Sequence, residues 1–395
     1  MVFRTGAIVA GMLAGFIDQA ALAVGLLQLS PPPVGAGASA PQLAAGRDGA
    51  WLSWLEADGS GGKRLRVARW NPAGWSVPST VVHGPELLAN WADVPGVVES
   101  SEGALYAQWL VSYHGGYGIE LARSSDSGKT WTRLGPLHAD RSASEHGFVS
   151  FAPAGSGLLA FWLDGRSTVK GGATELRMRR LDNEAAGPPV ETVLDERVCD
   201  CCQTAAVASG AGAWVAFRDR SASEIRDISV LRIADGKAST PTIVHRDAWK
   251  IMGCPVNGPA IAVAGQTVVV AWFTGASDKP RVEAARSTDG GVTFGSPVLI
   301  DDAAPLGRVS VALGPDGEAA VSWLGRAPQG DGAELRVQKL DAAGRKGAPL
   351  RVADLAGGRA GGTPRMVGSG DRLVFAWVEK GSIAGGTLGW TDLPR

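Results

Sequence analysis

One short apolar stretch that ends in an aromatic residue recurs along the chain and decides the fold. Its first copy is Trp51-Leu52-Ser53-Trp54 and its last is Val374-Phe375-Ala376-Trp377. The copies between them are Tyr106-Ala107-Gln108-Trp109, Leu159-Ala160-Phe161-Trp162, Trp214-Val215-Ala216-Phe217, Val269-Val270-Ala271-Trp272 and Ala320-Val321-Ser322-Trp323. The final aromatic residues are 55, 53, 55, 55, 51 and 54 positions apart, which indicates seven repeats of near-constant length.

Each repeat carries short apolar segments separated by turns. The quoted stretch follows another apolar segment, such as Ile261 to Ala264, and precedes one that alternates apolar and polar residues, such as Leu335-Arg336-Val337-Gln338. A further segment near proline closes most repeats, as in Pro297 to Ile300. Four such strands make an antiparallel sheet, and seven sheets around an axis make a β-propeller. We expect the repeated aromatic residues to pack between neighbouring blades.

The last repeat ends at Arg395 after three strands, so its outer edge needs a partner from elsewhere. Residues Val24 to Leu29 can supply that strand by pairing near Gly386 to Thr391. The sequence therefore predicts an all-β, seven-bladed propeller, a single domain over residues 24–395, whose ring is closed by an N-terminal strand.

The first 23 residues have the features of an export signal. Arg4 precedes an apolar run from Ala7 to Ile17, and Ala21-Leu22-Ala23 fits a signal-peptidase site. The alternative is a membrane anchor, but Asp18 would then lie inside the bilayer at a cost of about 3 kcal/mol. We predict an exported protein, periplasmic or secreted, with no membrane span in the mature chain.

Composition excludes several classes of function. Hydrophobic residues make up 45% of the chain and charged residues 19%, which excludes disorder and coiled coil. Lysine and arginine (38) nearly balance aspartate and glutamate (39), and no long basic block is present. A nucleic acid is therefore not an expected partner, and we expect a monomer.

Two turns between third and fourth strands share the pattern S-x-D-x-G-x-T-W/F. Serine and aspartate oxygens in this pattern accept backbone N–H bonds, glycine supplies a positive φ, and the aromatic ring is buried, so we interpret both turns as structural. The pattern residues are Ser124, Asp126, Gly128 and Trp131 in the first turn, and Ser287, Asp289, Gly291 and Phe294 in the second.

With these two motifs the whole mature chain resembles the sialidase-like superfamily of Asp-box (BNR) propellers. The resemblance implies a secreted or periplasmic propeller, often a glycoside hydrolase acting on sialic acid. In that family three arginines clamp the sugar carboxylate, a tyrosine paired with a glutamate is the nucleophile, and an aspartate is the acid/base. The family's first clamp arginine lies in an Arg-Ile-Pro-like tripeptide where this chain has Ala40-Pro41-Gln42.

Two further features of the family differ here. Its nucleophilic tyrosine comes late in the chain, whereas Tyr106, Tyr113 and Tyr117 all fall in blade 2. Sialidases have six blades, so a six-bladed sialidase-type ring is the alternative to seven.

Unusual polar residues collect on the face opposite the Asp boxes. This face, which we call the funnel face, is formed by the loops between second and third strands and the loops between blades. A concave surface with converging polar groups is the default binding site. We predict that it binds a small acidic or carbohydrate-like ligand, and an exo-sialidase or other glycoside hydrolase is one expectation. Besides the clusters described next, the candidate ligand-binding residues are Tyr113, Tyr117, Arg166 and Asn257.

The run from Arg218 to Asp227 is the densest cluster of charge. Arg218, Arg220 and Arg226 could grip a carboxylate or phosphate in a bidentate manner. The alternative is a lattice in which the neighbouring carboxylates pair with these arginines and brace a hairpin. The same carboxylates are the candidate acids or bases: Glu224, Asp219 and Asp227.

All the cysteines lie within 56 residues: Cys199, Cys201, Cys202 and Cys254. An even number in an exported chain predicts disulfides, and the least strained set is Cys199 with Cys202 and Cys201 with Cys254. The rival interpretation is a thiolate site for Cu(I) or Zn(II) with His146 or Met252 nearby. Partly free thiols are a third possibility. A non-catalytic propeller that binds metal or protein is thus the alternative function, and no cofactor is certain.

Overall fold

A computed structural model describes residues 27–113, 115–182 and 189–395, which form seven antiparallel sheets. The sheets follow one another along the chain, and the first strands of all seven line a central channel. The seven-bladed β-propeller predicted from the repeated aromatic residues is therefore confirmed, and the six-bladed alternative is wrong. The export signal predicted at residues 1–23 lies outside the described residues.

Each blade has four principal strands, joined by short turns. The strands of blades 1 to 3 are Ser39–Gly46, Gly49–Ala57, Lys63–Asn71 and Ser79–Gly84; Gly96–Glu99, Leu105–Tyr113, Gly116–Ser124 and Thr132–Pro136; His146–Ala154, Gly157–Asp164, Glu175–Leu181 and Glu191–Asp195. Those of blades 4 and 5 are Ala205–Ser209, Gly212–Arg218, Ile228–Ala234 and Thr242–His245; Ala260–Ala264, Thr267–Thr274, Arg281–Ser287 and Val298–Asp301. Those of blades 6 and 7 are Gly307–Leu313, Ala319–Arg326, Ala333–Leu340 and Leu350–Leu355; Arg365–Ser369, Arg372–Glu379, Ser382–Gly389 and the N-terminal Gln28–Leu29.

A few minor elements accompany the blades. Two-residue strands occur at Gly74–Trp75 and Lys237–Ala238. The helices of the described residues are single 3₁₀ turns at Thr168–Lys170, Ala276–Asp278, Gly358–Gly361 and Trp390–Asp392. None of them approaches the length and apolarity that crossing a membrane would need.

The ring closes where the sequence predicts, although residues 24–26 of the expected strand lie outside the described residues. Gln28 pairs with Thr387 and Leu29 with Gly386, in antiparallel register. The backbone N–H of Ser30 also donates to the carbonyl of Gly385 over 3.0 Å. The N-terminal segment thus covers the outer edge of blade 7, which would otherwise offer unpaired backbone groups to another chain.

The core is divided among the seven junctions between blades. Each hydrophobic cluster of the described residues joins two neighbouring blades and contains one of the repeated aromatic residues. Their side chains are at most 2% exposed. Replacing a buried aromatic side chain of this size by alanine costs about 3–5 kcal/mol. The repeated residues are Trp54, Trp109, Trp162, Phe217, Trp272, Trp323 and Trp377.

The two Asp-box turns have matching geometry. In the first, Gly128 N–H donates to Ser124 Oγ over 2.9 Å and Thr130 N–H donates to Asp126 Oδ1 over 2.9 Å. In the second, Gly291 N–H donates to Ser287 Oγ over 2.8 Å. Both glycines have positive φ, +85° and +77°. The side chains of these turns are thus engaged with their own backbone, on the face opposite the funnel.

The aromatic residues that end the two motifs are partly buried. Trp131 packs against the hydrophobic cluster between blades 1 and 2, and its indole N–H donates to the carbonyl of Gly128. Phe294 packs against the cluster between blades 4 and 5. Each box therefore fixes a turn and adds a ring to the junction with the preceding blade. Hydrogen bonds from Thr130 and Thr293 lower the pKa values of Asp126 and Asp289 to about 2.

Candidate functional site

Arg218 is buried and fully engaged by the protein. Its side chain is 1% exposed and donates to the carbonyls of Asn257, Arg226 and Phe273 over 2.9, 2.7 and 2.7 Å. Its guanidinium also lies 4.9 Å from the centre of the Trp249 ring. Burial lowers its pKa to about 10, so the group remains a cation at neutral pH. Arg218 therefore ties blade 4 to blade 5, and each of its three side-chain nitrogens donates to a backbone carbonyl.

The other two arginines of this run pair with carboxylates. Arg220 binds Glu224 over 2.9 Å, and Arg226 binds the second oxygen of Glu224 over 3.0 Å. Asp200 accepts from both arginines at 3.3 and 3.5 Å. Hydrogen bonds from Arg220 and Arg226 hold the pKa of Glu224 below its usual value. The lattice interpretation thus describes these contacts better than an open anion clamp.

The lattice differs from expectation in its carboxylates. Asp219 accepts from the backbone N–H of Arg220 over 2.6 Å, and Asp227 accepts from that of Trp249 over 3.3 Å. Burial raises the pKa of Asp219 to about 6 and also raises that of Asp227. Both carboxylates thus accept hydrogen bonds from backbone groups at the base of the hairpin. The carboxylate that pairs with Arg220 and Arg226 beside Glu224 is that of Asp200, which the sequence analysis did not include.

The cysteines form two disulfides, Cys199–Cys202 and Cys201–Cys254. These are the two pairs expected from the sequence, and the second joins the segments that enter blades 4 and 5. The sulfurs of Cys199, Cys201 and Cys202 lie within 4.8 Å of one another, so reduction would place several thiols together. Arg226 Nη1 lies 3.3 Å from Cys199 Sγ.

His146, the other expected metal ligand, takes part in a separate buried network. Its Nε2 lies 3.0 Å from Asp140 and its Nδ1 lies 3.1 Å from Asp164. The ring also stacks on His138 with centroids 3.9 Å apart, and burial together with the nearby His146 lowers the pKa of His138 to about 3. His138 is therefore neutral at physiological pH, and His146 is held between two carboxylates at the junction of blades 2 and 3.

Arg166 belongs to the same network. It pairs with Asp164 and with Glu191, each over 2.7 Å. Burial would raise the pKa of Asp164, but hydrogen bonds from His146 and Arg166 hold it well below its usual range. Arg166 thus neutralises buried carboxylates of blade 3.

Asn257 is likewise used inside the protein. Its Oδ1 accepts from the backbone N–H of Arg308 over 2.8 Å, and its Nδ2 donates to the carbonyls of Pro255 and Leu306 over 3.3 Å. The side chain therefore fixes the junction of blades 5 and 6. Tyr113 ends the second strand of blade 2.

The remaining candidate, Tyr117, lies in a group of ionisable side chains on the funnel face. It forms a parallel backbone bridge with Glu145, which is exposed at the entry to blade 3, and the Tyr117 ring and the Asp93 carboxyl both flank Gly147. Asp93, in the loop between blades 1 and 2, lies close enough to act on Tyr117 through its charge. Burial and the charges of Asp93 and Glu145 raise the pKa of Tyr117.

Asp93 is the most perturbed carboxyl of this group. It is 2% exposed, and its Oδ2 has no hydrogen-bond partner among the described residues. Burial, assisted by the charge of Glu145, raises its pKa to about 7. The absence of a side chain at Gly147 makes room for it, because a Cβ there would lie 1.9 Å from Asp93 Oδ2. Asp93 can therefore hold a proton near neutral pH.

Sequence analysis missed Asp93 and Glu145. Both lie in loops that lead into a blade, and neither belongs to a motif or to the strand alternation. Glu145 directly precedes His146, so the only available signal was its place at the entry of blade 3 on the funnel face.

A central channel opens between the seven first strands, with a volume of about 630 Å³. Trp91, in the loop that carries Asp93, packs against the guanidinium of Arg308 at 4.9 Å and that of Arg359 at 5.7 Å. The carbonyl of Ala92 accepts from Gln203 Nε2 over 2.9 Å. The loop from blade 1 to blade 2 thus reaches residues of blades 4, 6 and 7.

No protein-family model and no curated protein matches this chain. Solved structures resemble it in fold. The Hadza microbial sialidase Hz136 has a TM-score of 0.51 and 13% identity, over 84% of this chain and 74% of that one. The polysaccharide lyase Uly1 has a TM-score of 0.54 and 9% identity, over 89% and 90%. An α-L-arabinofuranosidase from Fusarium graminearum has a TM-score of 0.51 and 13% identity, over 78% and 94%.

Identities this low support a statement about architecture alone. Together with the seven antiparallel sheets, these structural matches show that the chain has a sialidase-like β-propeller fold.

Proposed function

We propose that the chain is an exported, carbohydrate-active propeller that hydrolyses a glycosidic bond at Tyr117, Glu145 and Asp93. The observation that carries this proposal is the placement of the three groups together: Tyr117 and Glu145 form a backbone bridge, and the Tyr117 ring and the Asp93 carboxyl both flank Gly147. A tyrosine paired with a glutamate and accompanied by an aspartate is the set of groups that the resemblance to sialidases implies. Here the set is assembled from the loop before blade 2, from blade 2 and from the entry to blade 3.

The three groups suit the two steps of a retaining hydrolysis. In the first, the Tyr117 oxygen bonds to the anomeric carbon while Glu145 accepts the phenol proton, and Asp93 protonates the departing oxygen as the glycosidic bond breaks. In the second, water attacks the anomeric carbon and gives its proton to Asp93, and Glu145 returns a proton to Tyr117 as the bond to tyrosine breaks. The raised pKa of Tyr117 means that proton transfer must accompany attack.

The different surroundings of the two carboxyls support these roles. Asp93 is buried, and its pKa near 7 lets it hold the proton that a general acid needs, whereas Glu145 is exposed and lies beside Tyr117. The relatives in fold include a sialidase and an α-L-arabinofuranosidase, which supports a glycan as substrate class. Two disulfides are typical of an oxidising compartment and support export to the periplasm or medium.

The test is hydrolysis of 4-methylumbelliferyl glycosides of sialic acid, α-L-arabinofuranose and β-D-glucuronic acid. Tyr117→Phe, Glu145→Gln and Asp93→Asn should each lower kcat/KM on the hydrolysed glycoside by about 10²–10⁴-fold. Glu196→Gln, an exposed glutamate in a loop of the same face, is the matched control and should leave the rate unchanged. Full activity of Tyr117→Phe, or no hydrolysis of any of the three glycosides, would overturn the proposal.

A further inference from the structure

One layer of the central channel can be read directly from strand register. In every blade, the residue just before the repeated aromatic residue lies on the second strand and pairs with a residue of the first strand. These seven residues occupy equivalent places around the axis, and all of them line the channel. In blade order they are Gln42, Gly96, Ser150, Ala205, Ala260, Ser310 and Arg365.

Arg365 is the one charged member of this layer. Its Nε is buried and has no hydrogen-bond partner among the described residues. Burial lowers its pKa to about 10, which leaves the guanidinium protonated at neutral pH. Arg365 is half-buried overall and lines the channel, so a counter-charge for its guanidinium would have to come from the channel or its wall.

The channel wall does not provide that charge. The described residues that line it include Arg308 and Arg365 but no aspartate or glutamate. Arg308 donates to the carbonyls of Gly358 and Gly362, and its guanidinium stacks on Trp91. Arg365 is therefore the cation that remains available to an anion in the channel.

Other buried polar atoms near this layer also lack partners. Thr363, two residues before Arg365, also lines the channel, is 6% exposed and has an unpartnered Oγ1. The Oε1 atoms of Gln42 and Gln108 are also buried and unpartnered, and the Gln108 Nε2 is engaged by the carbonyl of Val94. A Cβ on Gly96 would lie within 3.6 Å of both glutamine side chains, so the glutamines flank this glycine.

These atoms define the chemistry of an occupant. Arg365 and Thr363 offer donors, which suit a carboxylate, while the glutamine oxygens of blades 1 and 2 are acceptors, which need hydroxyl or amine donors. Serine and alanine at the layer positions of blades 3 to 6 leave the facing side open, and about 630 Å³ is ample for a molecule of about ten to fifteen heavy atoms. We propose that the central channel binds a small hydroxylated carboxylate whose acid group pairs with Arg365 and whose hydroxyl groups donate to Gln42 and Gln108.

The site is distinct from Tyr117, Glu145 and Asp93, and it does not depend on the proposed hydrolysis. Its test uses isothermal titration calorimetry and thermal unfolding of the full mature chain with D-glucuronate, acetate and D-glucose at fixed ionic strength. Glucuronate carries both the acid and the hydroxyl groups, whereas acetate and glucose carry one kind each. We expect glucuronate to bind more tightly than either control and to raise Tm by about 2 °C at ten times its Kd.

Arg365→Met should abolish the glucuronate-dependent rise in Tm, and its Tm without ligand should equal or exceed that of the wild type, because Arg365 is half-buried and forms no ion pair among the described residues. Thr363→Val should weaken glucuronate binding in a near-isosteric background. Arg345→Met removes an arginine that is 85% exposed, and it should behave as wild type. Tyr117→Phe should bind glucuronate normally, which separates this site from the hydrolytic proposal.

Equal glucuronate affinity in wild type and Arg365→Met would overturn the inference. So would the absence of binding at about 10 mM, a concentration well above a millimolar Kd, since the channel would then hold water only.

Discussion

The disulfide between Cys201 and Cys254 should stabilise the fold more than its neighbour does. It closes a loop with a sequence separation of 53, whereas Cys199–Cys202 spans only 3 residues. The chain-entropy relation gives about 4 kcal/mol for the long loop and about 1.5 kcal/mol for the short one. The difference arises because the longer cross-link removes more conformations from the unfolded chain.

Paired substitutions avoid disulfide reshuffling and make the comparison direct. Cys201→Ser with Cys254→Ser should lower the free energy of unfolding by about 4 kcal/mol, which corresponds to a fall in Tm of about 5 °C for a chain of this size. Cys199→Ser with Cys202→Ser is the matched control and should cost less than half as much. Both are measured by equilibrium unfolding in urea under non-reducing conditions. Equal losses, or a larger loss for the short loop, would refute the entropic reasoning.

Reductant and chelator separate disulfides from the metal alternative. A reductant should lower the Tm of the wild type and hardly change that of the variant without the long disulfide. If metal held the four sulfurs, a chelator and not a reductant would lower the wild-type Tm, because binding to the folded state alone adds to stability. A wild-type protein indifferent to both reagents would contradict both interpretations and leave the cysteines with a packing role.

Two other substitutions test the buried charges. Arg218→Met should lower the free energy of unfolding by about 3–5 kcal/mol, because it leaves the carbonyls of Asn257, Arg226 and Phe273 without a donor. Urea unfolding measures this change, and a loss below about 1 kcal/mol would contradict the prediction. Asp93 has a folded pKa near 7 against 3.8 for the free group, so the folded state binds more protons and wild-type stability should fall as pH rises from about 4 to 7. Asp93→Asn should remove that fall. The difference in free energy of unfolding between this variant and wild type should grow in favour of the variant, by at most about 4 kcal/mol at pH 7, and then level off. A pH-independent difference in Tm would contradict the assignment.

The fold could be predicted because its signal repeats. Each repeated aromatic residue fills one junction between blades, so the same packing requirement recurs at nearly constant spacing and specifies the number of blades. The closing strand could be predicted by counting strands in the last repeat, because the outer edge of its third strand, Ser382–Gly389, needs a partner. Gln28 and Leu29 meet that demand in the expected register. The two disulfide pairs are the set expected to be least strained, because the short distance between adjacent Cys201 and Cys202 disfavours a bond between them.

The binding site was harder to predict because charge in a sequence does not reveal its partners. Arg218 and Arg226 stand out among neighbours of both signs, yet both are buried: Arg218 donates to backbone carbonyls, and Arg226 donates to Glu224 and to a sulfur. Asp93 has an ordinary surrounding sequence, and its raised pKa arises from burial against Gly147 and from Glu145, which belongs to the entry of a different blade. Contacts of that kind depend on how one blade meets the next, and local patterns do not encode them.

Ring symmetry nevertheless supplies one signal that was available in the sequence. Arg365 precedes Trp377 by the same spacing with which Gln42, Ser150, Ala205 and Ala260 precede their own aromatic residues. Gly96 and Ser310 stand one position further from theirs, because their hairpin turns are slightly longer. A repeat protein thus allows its residues to be aligned by layer as well as by strand, and the layer that faces the axis must be small or neutral wherever nothing binds. An arginine in such a layer, opposite serines and alanines, breaks the pattern in a way that packing does not require, and for that reason its charge is better explained by an occupant of the channel than by the fold.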